Sequence, residues 1–173
     1  MNNKKIKNAT TVTCSGIIFK SKLEKTIYNI FKEAGYDIEY EPKRIVLVSF
    51  ENNKVQFYDK ETNIQYKNRI KEEGKSPKLL SLKSAKMLPI TYTPDFYIYY
   101  NNIHIWLEGK GLENDCYYIK KKLFRDYLNK RYVENNEISI FFEIYSKAQA
   151  YQAIKIIEKY AEKCNTGISK GSQ

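Results

Sequence analysis

The stretch Tyr92-Thr93-Pro94-Asp95-Phe96-Tyr97-Ile98-Tyr99-Tyr100-Asn101-Asn102-Ile103-His104-Ile105-Trp106-Leu107-Glu108-Gly109-Lys110-Gly111 decides the fold. Residues 92–100 and 103–108 are rich in aromatic and β-branched side chains, which favours strands. Asn101-Asn102 between them reads as a two-residue turn, because asparagine tolerates positive φ. So tight a turn makes the two strands antiparallel neighbours. Asp95 stands six residues before the turn and Glu108 six after it, so the carboxylates meet across the ladder. Lys110, two residues beyond Glu108, returns to the same face by the strand period of two.

Working outward, Ser21 starts a helix whose Leu23, Ile27, Ile30, Phe31 and Ala34 share a face and which Gly35 stops. Strand-like residues follow at 38–40 and, after Pro42, at 45–50, where an unbroken apolar run predicts burial on both faces. Residues 51–88 change character, with nine Lys+Arg against five Asp+Glu and with Gly74 and Pro77 as breakers. They read as a basic insertion on a single domain spanning 1–173, with a hairpin of residues 55–58 and 64–66. A second helix spans 114–131, its buried stripe Ile119, Leu123, Phe124, Tyr127 and Leu128. Residues 138–145 form an apolar strand, and Ser146 caps a last helix carrying Ala150, Ile154, Ile157 and Ala161 at helical spacing. Residues 1–16 read as loose, with Val12 and residues 17–19 able to pack, and the tail after 164 as disordered. This order of elements is that of an α/β domain with a mixed central β-sheet flanked by helices.

Thirty Lys+Arg against twenty Asp+Glu leave a net charge of +10. That balance favours a polyanionic partner, nucleic acid first and an anionic membrane surface second. The plain alternative is a basic protein from a genome that favours Lys, Asn, Ile and Tyr. Cys14, Cys116 and Cys164 are odd in number and widely spaced, which argues against a disulfide framework or a zinc site. His104 is the only histidine, which excludes histidine-rich metal sites. No apolar run approaches the roughly 20 residues of a membrane helix, and the basic start lacks the apolar segment of a signal peptide. A cytoplasmic protein is the expectation.

Hydrolysing a phosphodiester takes a nucleophilic water, compensation of charge building on the phosphate oxygens, and help for the leaving group. Mg²⁺ supplies much of this, held by a few carboxylates with positions open to water and phosphate. Asp95 and Glu108 suit as ligands, and Gly109 adds a backbone carbonyl at low steric cost. Lys110 is a compact ammonium fit to orient water or to meet developing negative charge. Glu24 has two readings, the second half of a Ser21-x-x-Glu24 capping box or a fourth member of the site. Lys120, Lys121, Lys122 and Arg125, with Lys20 and Lys22 at the first helix, read as DNA-binding residues that position a phosphate backbone without reading bases, the alternative for the 120–125 run being a solvated helix face. Trp106 and most of the tyrosines, Tyr97, Tyr99, Tyr127 and Tyr160 among them, read as packing. Glu143 reads most simply as an edge or exposed strand residue, with a supporting role near the metal as the alternative. His104 reads as an exposed strand residue, and Glu113 and Asp115 as caps of the second helix.

Ser15-Gly16, Phe19 through Glu24, Gly35, Ile38-Glu39-Tyr40-Glu41, Tyr92 through Phe96 and Leu107 through Leu112 follow one another in the order seen in the PD-(D/E)XK nuclease superfamily. Over residues 15–50 and 90–145 the chain resembles its phage endonuclease I branch of junction-resolving enzymes, in which residues 51–88 have no counterpart. The resemblance implies a restriction-endonuclease-like core, metal ligation by Asp95 and Glu108, a catalytic Lys110 and a helix carboxylate in Glu24. It implies Mg²⁺ or Mn²⁺ as cofactor and cleavage of branched DNA such as four-way Holliday junctions. An intertwined homodimer, with each site drawing on both chains, and the host cytoplasm as location are further implications. Two rivals remain: a restriction-like or repair nuclease on linear or nicked duplex, and a nucleic-acid-binding module without catalysis. The intact Asp95, Glu108 and Lys110 weigh against the second.

Overall fold

The computed structural model describes residues 11–50, 56–74, 77–82, 87–111 and 115–168. In chain order the elements are β1 (Val12–Cys14), β2 (Ile17–Phe19), α1 (Lys22–Glu33), β3 (Ile38–Tyr40), β4 (Ile45–Val48), β5 (Tyr58–Lys60) and α2 (Asn63–Glu73). They continue with β6 (Leu80–Leu82), β7 (Ile90–Tyr92), β8 (Phe96–Tyr100), β9 (Ile103–Gly109), α3 (Asp115–Asn135), β10 (Ser139–Ile144) and α4 (Lys147–Ile168). The fold is α/β, and the chain divides into two compact units, Met1–Leu47 with Thr91–Gln173, and Val48–Ile90.

The first unit is built on a mixed four-stranded sheet in the order β10-β9-β8-β3. Asn101 and Asn102 have φ of 49° and 61°, the conformation a two-residue hairpin turn requires. They set Tyr100 against Ile103 and Phe96 against Leu107. β3 adds antiparallel to β8. β10 runs parallel to β9, which needs a crossover, and α3 is that crossover.

Strand periodicity sorts β9 onto two faces. Ile103, Ile105 and Leu107 join Phe19, Ile27 and Phe31 with Ala150, Ile154 and Ile157 in a core under α1 and α4. Trp106 turns the other way and joins Tyr92, Ile45 and the α3 residues Tyr117, Phe124 and Leu128. Phe19, Phe31, Phe96 and Phe124 are fully enclosed, each contributing about 1.5–3 kcal/mol of burial free energy. α1 is closed at both ends. Ser21 Oγ accepts the Glu24 N–H at 3.1 Å. Gly35, at φ 85°, donates to the Lys32 carbonyl while Tyr36 donates to that of Phe31, the paired bonds of a Schellman ending.

Several expectations need correction. Residues 12–14 are not loose: β1 pairs with β2 through Ser15 and Gly16. β4 is not buried on both faces, since Val46 is half exposed; among the described residues β4 pairs with β7 in a two-stranded sheet. In α3, Ile119 faces solvent and the helix runs on to Asn135. α4 continues past 164 to Ile168. Tyr99 and Tyr160 are exposed rather than packed.

In the second unit, residues 64–66 are not a strand. Thr62 and Gln65 form a reciprocal capping box that opens α2, and the pattern Thr-x-x-Gln was there to be read. β5 pairs instead with β6. Among the described residues of this unit only Glu61 is buried. It accepts from Arg69 Nε at 3.1 Å, Arg69 Nη2 at 2.6 Å and the Leu79 N–H at 2.9 Å. The Arg69 guanidinium holds its carboxyl well down, at about 2.

Asn102→Val forces a β-branched side chain to positive φ and should cost about 1–3 kcal/mol of stability, whereas Asn102→Gly should leave stability near wild type. Urea unfolding of both proteins checks this, and equal midpoints would remove the turn from its role.

Candidate active site

Glu108 points from β9 toward the α3 side and is 3% exposed. Its Oε2 accepts from Tyr92 Oη at 2.5 Å and from the Asp95 N–H at 3.3 Å. Its Oε1 pairs with the Lys110 ammonium. Burial, and then the charge of Glu108, push the Tyr92 phenol up, so Tyr92 stays protonated and donates. Lys110 follows β9 and is anchored by its N–H to the Ile144 carbonyl at 2.9 Å.

Asp95 sits in the break between β7 and β8, just after the fully buried Pro94. Its Oδ2 accepts the Gly109 N–H at 2.8 Å, and its carbonyl accepts the Glu41 N–H at 2.8 Å. Glu24 arrives from the opposite side of the sheet, on α1, and is 6% exposed. Its Oε2 accepts the Lys20 N–H at 2.9 Å and Tyr40 Oη at 2.7 Å. The capping-box reading of Glu24 is thus met only in half. Ser21 caps as expected, but the Glu24 carboxylate takes the N–H of Lys20, one residue before the cap.

Gly109 is where the two sides meet. A Cβ here would stand 3.0 Å from Ile27 Cδ1 and 3.7 Å from both Asp95 Oδ2 and Glu24 Cγ. The missing side chain lets α1 close over the end of β9 and brings Glu24 up to Asp95. Gly109 gives its N–H to Asp95.

Burial, then the charge of Glu108, then that of Glu24, push the Asp95 carboxyl up to about 8. The Gly109 N–H and the Lys110 charge pull it down and only partly offset this. Lys110 pairs with Glu108, and Lys20, paired with Glu41, adds charge toward Asp95 and Glu24; carboxylates still outnumber ammoniums, and such a cluster attracts a cation. Among the described residues no three His, Cys, Asp or Glu side chains stand as a ready metal-holding group, and the Glu108 oxygens face Tyr92 and Lys110. The donor set is all oxygen, which suits a hard divalent cation that keeps several of its waters.

A second cluster adjoins the first. Glu143 lies opposite Glu108 in the β10–β9 register. It accepts from Tyr117 Oη at 2.8 Å and from Lys121 Nζ at 3.0 and 3.1 Å. The Tyr117 ring lies 3.9 Å from Lys110 Nζ. Glu143 is therefore not a bare edge residue, and the Lys121 ammonium is paired with it. Strand pairing unites them, and a single sequence does not disclose which strands pair. Tyr117 was missed outright, although it stands one helical turn before Lys121.

Of the other basic residues named above, Lys20 stands near the carboxylates: Glu41 foremost, then Asp95 and Glu24, hold its ammonium charged. The Lys20 ammonium pairs with Glu41, and Lys122 lies 4.4 Å from the Tyr118 ring. Lys22 and Arg125 are exposed and Lys120 partly so. Lys121 and Arg125 border a groove of about 680 Å³ shared with Asn129, Tyr132 and Glu143. His104 is half-buried, its Nδ1 bonded to Tyr97 Oη at 2.8 Å, not an exposed residue. Trp106 packs beside the site at 4.5 Å from Tyr97. Its Nε1 is the one buried side-chain polar atom without a partner among the described residues. Cys14 and Cys116 are free thiols. Glu113 lies outside the described residues, and Asp115 is the first residue of α3.

No family model, no curated protein and no solved structure matches the chain. Among the described residues no helix is long and apolar enough to cross a membrane.

Asp95 titrates near 3.8 when unfolded and near 8 when folded. Its protonated form stabilises the fold fully below the lower value, and that contribution is lost as pH rises through the upper one. In chelator, wild type should lose stability relative to Asp95→Asn as pH rises from about 5 to 8. Urea unfolding across that range measures the difference, and parallel profiles would contradict the raised carboxyl.

Proposed function

We propose that the chain is a Mg²⁺-dependent endodeoxyribonuclease of the PD-(D/E)XK type, with a restriction-endonuclease-like core. The leading substrate is branched DNA, the four-way junction first, and Mn²⁺ substitutes for Mg²⁺. The observation that carries the reading is the buried Asp95, its carboxyl raised by Glu108 and Glu24 and bonded to Gly109. A fold gains nothing by burying Asp95, Glu108 and Glu24 with fewer ammoniums than carboxylates around them. A site that must hold a divalent cation against a phosphate does gain from it.

Asp95 and Glu108 would hold the cation, with Glu24 adding charge from the α1 side. When bound, the cation supplies positive charge against the phosphate oxygens and lowers the pKa of neighbouring water. Lys110 directs its ammonium at the reacting phosphate and meets the negative charge that develops there. Tyr92 holds Glu108 in place through its short bond, and Tyr40 does the same for Glu24. Water attacks phosphorus as the bond to the leaving nucleotide oxygen breaks, with the water proton passing to solvent. The net positive charge of the chain draws DNA in. A homodimer, as in the junction-resolving enzymes, would supply two such sites to the two strands that must be cut.

Purified protein incubated with labelled four-way junction and matched duplex, with and without Mg²⁺, tests the reading. Cuts at the junction are expected only with the metal. Equal cutting of linear duplex would point to a restriction-like or repair nuclease, and junction binding without any cutting to a binding module. Asp95→Ala and Glu108→Ala should each lower cleavage by at least about a thousandfold while leaving junction binding largely intact. Turnover by either variant would sink the assignment.

A readout independent of cleavage is thermal unfolding. Mg²⁺ or Mn²⁺ should raise Tm at pH 8 by mass action, and Asp95→Asn should abolish that rise. A wild-type Tm indifferent to millimolar Mn²⁺ would remove the metal from the proposal.

A further inference from the structure

We propose that Tyr117 is the positioning residue for the Lys110 ammonium, held for that task by Glu143 and Lys121. The proposal rests on the nuclease reading above. Lys110 carries its charge on a flexible four-carbon stem and leaves the sheet between two glycines, Gly109 and Gly111. Two groups hold the charge. One is Glu108 Oε1. The other is the face of the Tyr117 ring, 3.9 Å from Nζ to the centroid, well inside the range of cation–π attraction.

The ring itself is fixed. Tyr117 is 5% exposed, and its Oη donates to Glu143 Oε1 at 2.8 Å. Both Glu143 oxygens are clamped by Lys121 Nζ, at 3.0 and 3.1 Å. Glu143 and Glu108 are register partners on adjacent strands, so one rigid sheet carries the ring's anchor and the lysine's carboxylate partner. The two holders differ in kind. A carboxylate neutralises the ammonium, and Glu108 is also wanted by the cation. An aromatic face holds the ammonium by its quadrupole and leaves its charge available to a phosphate. Tyr117 therefore keeps Lys110 in place when Glu108 is engaged elsewhere.

Two substitutions separate this role from filling the core. Tyr117→Phe keeps the ring face and loses the hydroxyl; Tyr117→Leu keeps apolar bulk and loses the face. In metal-free protein, the Lys110 ε-methylene protons, assigned by their absence from Lys110→Met, should resonate upfield of ordinary lysine in wild type and Tyr117→Phe. In Tyr117→Leu they should return to the ordinary position. On four-way junction with Mg²⁺, kcat should fall about threefold in Tyr117→Phe and about 10- to 100-fold in Tyr117→Leu, with KM for DNA unchanged. Tyr117→Met, which adapts to irregular space, takes the place of Tyr117→Leu if that variant does not fold. An ordinary Lys110 shift in wild type, or a Tyr117→Leu protein as active as Tyr117→Phe, overturns the positioning role. A wild type with the upfield shift that cuts no DNA would instead overturn the nuclease reading, leaving Tyr117 as the holder of Lys110 in a site of other purpose.

Discussion

The register of the β8–β9 hairpin, locked by positive φ at Asn101 and Asn102, is the constraint on which the rest of the first unit depends. With a side-chain period of two, a slip of one residue would exchange every face. Leu107 would turn to α3, and Trp106 and Glu108 to the apolar core beneath α1 and α4. Burial of Ile103, Ile105 and Leu107 thus holds Glu108 in place without touching it. The parallel return of β10 extends the same register and lays Glu143 beside Glu108.

The end of that sheet is where the molecule gives up stability. Carboxylates from both faces and from the break before β8 converge there, and each is taken out of water. Burial works against their charge, and the fold offsets it with short bonds from Tyr92 and Tyr40, backbone N–H groups and the ammoniums of Lys110 and Lys20. Two neighbouring tyrosines, Tyr92 and Tyr117, are kept protonated by burial and by the carboxylates they serve. Gly109 lies at the tightest approach of this end of the sheet, since a Cβ there would press on Ile27 Cδ1. Among its described residues, the second unit buries Glu61, paired with Arg69, and no apolar side chain.

Local rules were legible where one segment contains both partners of an interaction. The Asn101-Asn102 turn, the Ser21 cap and the Gly35 stop are such cases, each a short stretch whose backbone chemistry needs nothing from elsewhere. The Thr62–Gln65 capping box is equally local, although Ile64 and Tyr66 beside it also suit a strand. Errors gathered where burial depends on a distant partner. Ile119 fits a helical stripe yet faces water, and Lys121 fits a basic face yet also pairs with Glu143.

By itself the sequence determined that Asp95 and Glu108 become neighbours and that Lys110 shares the Glu108 side, because a two-residue turn and a period of two leave little choice. It determined the ends of α1 and an α/β order of elements for the same local reason. Only the tertiary structure decided that Glu24 reaches the site from the opposite face, and that Gly109 makes room for it. It alone placed Tyr117, Glu143 and Lys121 behind Lys110. Those contacts join α1, β9, β10 and α3, and their geometry is set by packing between elements far apart in the chain.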